Sequence, residues 1–205
     1  MTAHYWESAK AHLAKRDKRL KKIIEAYHGE MLTTRGDAFY TLARSIIGQQ
    51  ISVKAADSVW KKFETALKIV APQNVLATNE QSLRECGLSA SKTRYLYSLA
   101  QHFSDNENIE NFWQSLPDDE LVSELTKLNG IGRWTAEMFM IFYLARPDIL
   151  PLADIGLQKA IFRLYNAGDK LTLAEIYEIA ENWRPYRSVA TWYLWRSLDP
   201  VPVAY

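Results

Sequence analysis

The chain predicts an all-α fold of two helical lobes with a cleft between them. Three observations predict it. Apolar residues recur at helical spacing in nearly every segment, and no convincing β-hairpin interrupts them. Ser, Asp, Pro and Gly fall where short helices would start and stop. Leu128-Asn129-Gly130-Ile131-Gly132-Arg133-Trp134-Thr135-Ala136 reads as the turn of a helix, tight glycine hairpin and second helix, with one isolated carboxylate, Asp154, downstream.

Taken from the N-terminus, Tyr5 to Leu13 and Leu20 to Tyr27 are short helical stretches, and Gly29 and Gly36 punctuate the segment between Tyr27 and Ala38. Ala38 to Ile47 carries Phe39, Leu42, Ala43, Ile46 and Ile47 at helical spacing. Ser52 to Leu67 places Val53, Ala56, Val59, Trp60 and Phe63 on one face. Pro72 opens a short helix, Ser82 to Cys86 forms another closed by Gly87, and Ser89 is a candidate N-cap for Ser89 to Phe103. Asp105 to Glu110 reads as a polar loop. Pro117-Asp118-Asp119-Glu120 starts a helix with acids in its first turn, and that helix runs through Leu121, Leu125 and Leu128 into the hairpin. The second hairpin helix carries Ala136 to Leu144. Ile149 to Ala153 is extended, Asp154 opens the next helix, and Leu173 to Ala180 and Tyr186 to Arg196 complete an irregular bundle. The pattern predicts about ten helices. One lobe is expected over 33–136, the hairpin with both its helices taking up about 121–144. The other, carrying Asp154, is expected over 1–32 plus 137–205.

Composition excludes several classes. The 205 residues are 48% hydrophobic and 24% charged, as in an ordinary globular protein. A net charge of +1 neither demands nor excludes a nucleic acid, so any affinity for one must come from a local face. Seven Trp and eleven Tyr exceed usual needs, and such rings fill cores or stack on flat ligands. The single Cys86 excludes an internal disulfide, a multi-cysteine zinc site and an iron–sulfur cluster. No apolar run reaches membrane-span length and the N-terminus does not read as a signal peptide, so a reducing intracellular compartment is expected, cytoplasmic or nuclear. His4, His12, His28 and His102 lack ligand spacing, and no Walker loop, nucleophile elbow or dinucleotide fingerprint occurs.

Three segments carry chemistry. Gly130 and Gly132 flank one aliphatic residue, so the turn is expected to use φ > 0 and to present N–H groups at the start of a helix. With Asn129, Ile131 and Arg133 it would clamp a phosphate. The same residues equally suit a plain connection between packed helices. Asp154 is a helix N-cap by position, and a capped carboxylate is also one held in fixed geometry. In Ile46-Ile47-Gly48-Gln49-Gln50-Ile51-Ser52, polar residues stand between two amphipathic helices, as in a solvated turn or a protruding contact. The basic run Lys15-Arg16-Asp17-Lys18-Arg19-Leu20-Lys21-Lys22 is read as a solvated face.

Residues 130–136, Gly-Ile-Gly-Arg-Trp-Thr-Ala, together with Asp154, resemble the helix-hairpin-helix DNA glycosylase superfamily, in its DNA-3-methyladenine glycosylase II or alkylation-repair branch. The resemblance covers about residues 30 to 200 by motif order, and a compact form without the extra N-terminal sheet domain of larger members is expected. It implies a monofunctional glycosylase that flips alkylated purines, 3-methyladenine or 7-methylguanine, out of duplex DNA and hydrolyses the N-glycosidic bond. Asp154 matches the essential aspartate, whose charge would stabilise an oxocarbenium-like sugar. Strand-cutting members carry a Lys at the position of Trp134, and an indole forms no Schiff base.

The resemblance assigns further residues. Trp134, Met138 and Tyr186 would line the base pocket; members often have Trp at the position of Tyr186, and the branch can carry Tyr at that of Met138. Gln50 aligns with the wedge that fills the gap in the duplex and Gln49 with the preceding residue, while Ser52 and Lys54 would add phosphate contacts. The backbone carbonyls of Thr126, Leu128 and Ile131 resemble those holding a structural sodium or potassium ion in related hairpins, with no catalytic cofactor. The partner is duplex DNA, with no membrane, and the chain is expected to be a monomer. Two other readings remain: a noncatalytic DNA-binding module in which Asp154 only caps, and a bifunctional oxidative-damage glycosylase.

Overall fold

The computed structural model describes residues 4–34 and 37–198. Among them are thirteen α-helices and no strand beyond an isolated bridge position at Thr33, as an all-α fold requires. The chain divides into two compact units, one from the described residues of Met1–Arg35 and Met140–Ala204, the other from those of Gly36–Phe139.

The first unit contains α1 (Trp6–Arg16), α2 (Lys18–Ala26), α11 (Ile155–Tyr165), α12 (Leu173–Glu181) and α13 (Arg187–Leu198). α13 has almost no polar face: Ser188 to Leu194 are all buried, which makes it the central helix of this unit. Trp6 of α1 meets Trp192 edge to face at 5.3 Å. α2 packs by the stripe Leu20, Ile23 and Ile24. Buried Arg196 pairs with Glu30 at 2.6 Å and lies 4.8 Å over the Tyr27 ring, so the charge does not go uncompensated.

The second unit holds α3 (Ala38–Gly48), α4 (Val53–Leu67), α5 (Pro72–Ala77), α6 (Glu80–Glu85), α7 (Ala90–Asp105), α8 (Ile109–Ser115) and α9 (Asp118–Leu125), and most of α10 (Arg133–Phe142). α3 is its buried spine, hidden from Ala38 to Ile47 except at Tyr40 and Arg44. Phe39, Phe103, Trp113 and Phe139 form a chain of edge-to-face rings across four helices. Asp37, Ser52, Asn79 and Ser89 each accept a backbone N–H at a helix start.

Four details differ from the sequence reading. α8 begins within the polar loop anticipated over Asp105 to Glu110 and runs on through a stretch given no element; buried Trp113 anchors it against Phe103 and Phe139. α9 ends at Leu125, and tighter bonds, Lys127 N–H to Glu124 O and Leu128 N–H to Leu125 O, carry the chain into the hairpin. α10 stops at Phe142, because Ala145 turns with φ 51° and Arg146 N–H returns to Met140 O. Pro151 to Asp154 is a turn closed by Asp154 N–H to Pro151 O, where an extended run was expected.

Candidate functional site

Asp154 is the N-cap of α11, with φ −72° and ψ 116°. Its Oδ1 accepts the Leu157 N–H at 2.6 Å and the Trp195 Nε1–H at 2.8 Å. Two donors on one oxygen fix the carboxylate's rotation as well as its position. Trp195 is held in turn, its ring stacked on Phe142 at 5.7 Å and 11°. Gly156 keeps the arrangement open: a Cβ there would lie 3.1 Å from Asp154 Oδ1 and 3.4 Å from the Trp195 ring. Trp195 and Phe142 carried no role in the sequence reading. Trp195 is half-buried beside buried Trp192, Tyr193 and Leu194, and that exception to the pattern of its own helix is visible only after folding.

Tyr186 lies in the same unit. Its ring stacks on Tyr5 at 6.0 Å and meets His12 edge to face at 5.3 Å. Tyr5 donates to the Ala145 carbonyl at 2.6 Å, and burial pushes its hydroxyl up to about 12. Trp195 donates to Asp154, and the Tyr186 ring packs with Tyr5 and His12.

In the second unit the hairpin and the α3–α4 turn are tied together. Gln49 Nε2 donates to the Gly130 carbonyl at 2.9 Å and to Thr135 Oγ1 at 3.3 Å. Lys92 Nζ donates to the carbonyls of Ile47 and Gln49, both at 2.7 Å, which places a cation at the C-terminus of α3. Burial lowers the Lys92 ammonium below the usual lysine range. Gln50, at the tip, is exposed with φ 59°, a left-handed conformation that costs a non-glycine residue about 1 kcal/mol. Ile51 beside it is 40% exposed. Ser52 uses its hydroxyl to cap α4, and Lys54 is exposed.

The two hairpin glycines are not equivalent. Gly130 has φ +85°, and a Cβ there would sit 2.5 Å from Tyr95 Cδ2, so both conformation and space require glycine. Gly132 has no positive φ and nothing within 4 Å of a Cβ; the expected left-handed turn at both glycines holds only for Gly130. Gly132 is exposed at the start of α10, its carbonyl accepting Ala136 N–H at 3.0 Å. Asn129 is exposed and donates to Ser98 Oγ at 2.9 Å, fixing the hairpin to α7. Ile131 is buried, its N–H on the Leu128 carbonyl. Arg133 projects outward, its side chain 68% exposed, with Nε on buried Glu137 at 3.0 Å. Trp134 is half-buried and Met138 fully buried on the same helix.

Among the described residues no group of three or more His, Cys, Asp or Glu side chains is placed to hold a metal ion. No helix there is long and apolar enough to cross a membrane.

Residues 43–185 match the profile of the HhH-GPD superfamily base excision DNA repair proteins. The chain is 30% identical over 196 residues to DNA-3-methyladenine glycosylase 1 of Schizosaccharomyces pombe, an alignment that takes in 92% of this chain and 86% of that one. The fold resembles the 3-methyladenine DNA glycosylase of the same yeast, solved in complex with abasic DNA, with a TM-score of 0.81 and 26% identity over 97% of this chain and 100% of that one. A DNA-3-methyladenine glycosidase from Bacillus halodurans gives a TM-score of 0.81 and 31% identity, covering 93% of this chain and 88% of the other.

Proposed function

Because the chain belongs to the HhH-GPD superfamily of base excision DNA repair proteins, on the side of its alkylation-repair relatives, we propose that it is a monofunctional DNA glycosylase for alkylated purines in duplex DNA. It acts as a monomer wherever its DNA lies, in a bacterial cytoplasm or a nucleus. The fixed carboxylate of Asp154, held by its own helix and by Trp195, carries this reading.

The chemistry needs little else. A purine methylated at N3 or N7 is cationic and leaves readily, so no strong general acid is required. As the glycosidic bond lengthens, positive charge builds on the sugar, and a carboxylate of fixed geometry stabilises it and orients the attacking water. The nucleotide must leave the stack first, with the exposed Gln50 tip filling the gap. Gly132 and the first N–H groups of α10 hold a phosphate, and Arg133, Ser52 and Lys54 add polar contacts. The family resemblance assigns Trp134 and Met138 of α10, and Tyr186 of the other unit, to recognition of the base, the aromatic rings suiting a flat cationic purine. With an indole at position 134, no amine stands there to form a Schiff base and cut the strand.

The same reading includes a structural sodium or potassium ion at the turn before α10. Carbonyl oxygens suit such a cation, and the Thr126 hydroxyl donates to the Val122 and Ser123 carbonyls. Leu128 O accepts Ile131 N–H and has a second lone pair. Thr126, Leu128 and Ile131 would hold the ion, which supplies positive charge towards a phosphate and takes no part in bond cleavage.

The test is base release. Incubation with methylated duplex should free 3-methyladenine or 7-methylguanine, leave the strand uncut without heat or alkali, and give no borohydride-trapped complex. Duplex binding with no base release from the wild-type chain would leave a noncatalytic module. Spontaneous strand cleavage with a trapped complex would make it bifunctional.

A further inference from the structure

We propose that the exposed cations of α1 and α2 form a contact surface for duplex DNA separate from the hairpin, gripping backbone phosphates that flank the lesion. The proposal rests on the reading that DNA is the substrate.

From Lys10 to Lys22 the chain carries seven lysines and arginines and one carboxylate, against a formal net charge of only +1 for the whole. The remainder of the protein is therefore net acidic, and the positive charge is concentrated in this helix pair. Lys15, Arg16, Lys18, Arg19, Lys21 and Lys22 are all exposed. Among the described residues, Lys15, Lys18, Arg19 and Lys22 form no ion pair, and Lys21 reaches Glu25 only at 3.8 Å. Arg163 of α11 is also exposed, two residues from Tyr165, whose ring lies 5.0 Å under Arg19.

The one acid in the run does not neutralise this surface. Asp17 points inward: Oδ1 accepts the Arg19 and Leu20 N–H groups, and Oδ2 accepts the Tyr165 hydroxyl at 2.5 Å and Trp183 Nε1–H at 3.2 Å. It locks the joint between α1 and α2 onto α11 and the turn before Tyr186. His12 Nε2 lies 2.8 Å from the Arg184 carbonyl on the same side. The cations therefore stand on a fixed platform, so binding orders only their side chains.

α2 is also built against its own dipole. Lys18, Arg19 and Lys21 occupy its first turn, at the positive end, where the N-cap Asp17 is the one acid and its carboxylate is already engaged by the Arg19 and Leu20 N–H groups, Tyr165 and Trp183. A face serving only solubility would be better stabilised by acids at those positions. Local stability given up for concentrated positive charge is what a polyanion site requires.

The experiment compares two charge-reversed forms of the full chain. One carries Lys15→Glu, Lys18→Glu and Lys22→Glu; the control carries Lys61→Glu, Lys68→Glu and Lys170→Glu at other exposed positions, for the same net charge. Affinity for a labelled undamaged duplex is measured across a salt series. Each lost phosphate contact should make the slope of log affinity against log salt shallower by about 0.9, so the first form should lose two to three such steps, roughly, and the control none. Lys18→Glu alone should hold or raise the melting temperature while weakening duplex binding, because it complements the dipole. Equal slopes in both triple variants would overturn the proposal, as would a Lys18→Glu protein that gains stability with unchanged affinity. So would loss of binding to phosphatidylserine vesicles with duplex affinity intact, which would assign the surface to a membrane. The salt slopes are read without catalysis, so a chain that releases no base but shows the expected slopes refutes the glycosylase reading and leaves this surface standing.

Discussion

The indole N–H of Trp195 lies 2.8 Å from Asp154 Oδ1, on the same oxygen that caps α11. Trp195→Phe keeps an aromatic ring for Phe142 to stack on and removes only the donor. Single-turnover base release should slow about tenfold, the worth of one hydrogen bond to a charged group at about 1.4 kcal/mol, with duplex affinity unchanged. Equal rates in variant and wild type would show that Trp195 does not position the carboxylate.

Asp154→Asn should abolish base release without unfolding the chain. An asparagine oxygen still accepts the Leu157 N–H and the Trp195 indole, so the cap survives while the charge is lost. Circular-dichroism melting should shift by only a few degrees, the equivalent of about 0.5 kcal/mol. A collapse of the melting temperature would mean that the charge is needed for folding.

Gly130→Ala and Gly132→Ala should separate stability from binding. The first forces a Cβ against Tyr95 at a positive φ and should cost about 2 kcal/mol or more. The second meets open space and should leave urea midpoints unchanged, yet weaken duplex binding if the proposed phosphate occupies that space. Unchanged affinity in Gly132→Ala would remove the hairpin from the DNA interface.

Gln49 and Gln50 should respond oppositely despite being neighbours. Gln49→Ala releases the hairpin from the α3–α4 turn and should cost about 1 to 2 kcal/mol. Gln50→Ala, at an exposed position, should change stability by less than about 0.5 kcal/mol and lower the rate of base release. Chemical denaturation of both variants, set against excision rates, checks the pair.

Stability should decline below the ordinary histidine value of 6.5, in part through His102. Burial lowers the pKa of this ring, which stacks on Trp113 at 6.0 Å with its Nε2 buried and without a hydrogen-bond partner. The folded chain therefore binds fewer protons than the unfolded one in the window below 6.5. The stabilisation is complete above that pH and is lost as pH falls through the folded value. His102→Phe should flatten the dependence of the urea midpoint on pH across this window.

Local rules made much of this legible beforehand. Asp154 and Ser89 cap the helices their positions announced, and Pro72 opens α5. Long-range partners were not legible. Trp195 lies 41 residues from Asp154, and Gln49 lies 81 from Gly130, separations at which no periodicity operates. α8 escaped because Ile109-Glu110-Asn111-Phe112-Trp113 has no amphipathic stripe; one buried tryptophan makes it a helix by tertiary contact. Gly132 looked like a turn residue because spacing cannot tell a glycine needed for conformation from one whose missing Cβ faces open space.

Lys92 grips two carbonyls at the end of α3 while Gln49 grips the hairpin, so the backbone below Gln50 is anchored before any duplex arrives. On the proposed reading of Gln50 as the wedge, a probe that cannot yield would leave the deformation to the DNA. Base steps that unstack easily would then admit it and stiff ones refuse it. Search along a genome would thus begin as a mechanical survey, in which the compliance of each step is felt before the identity of any base.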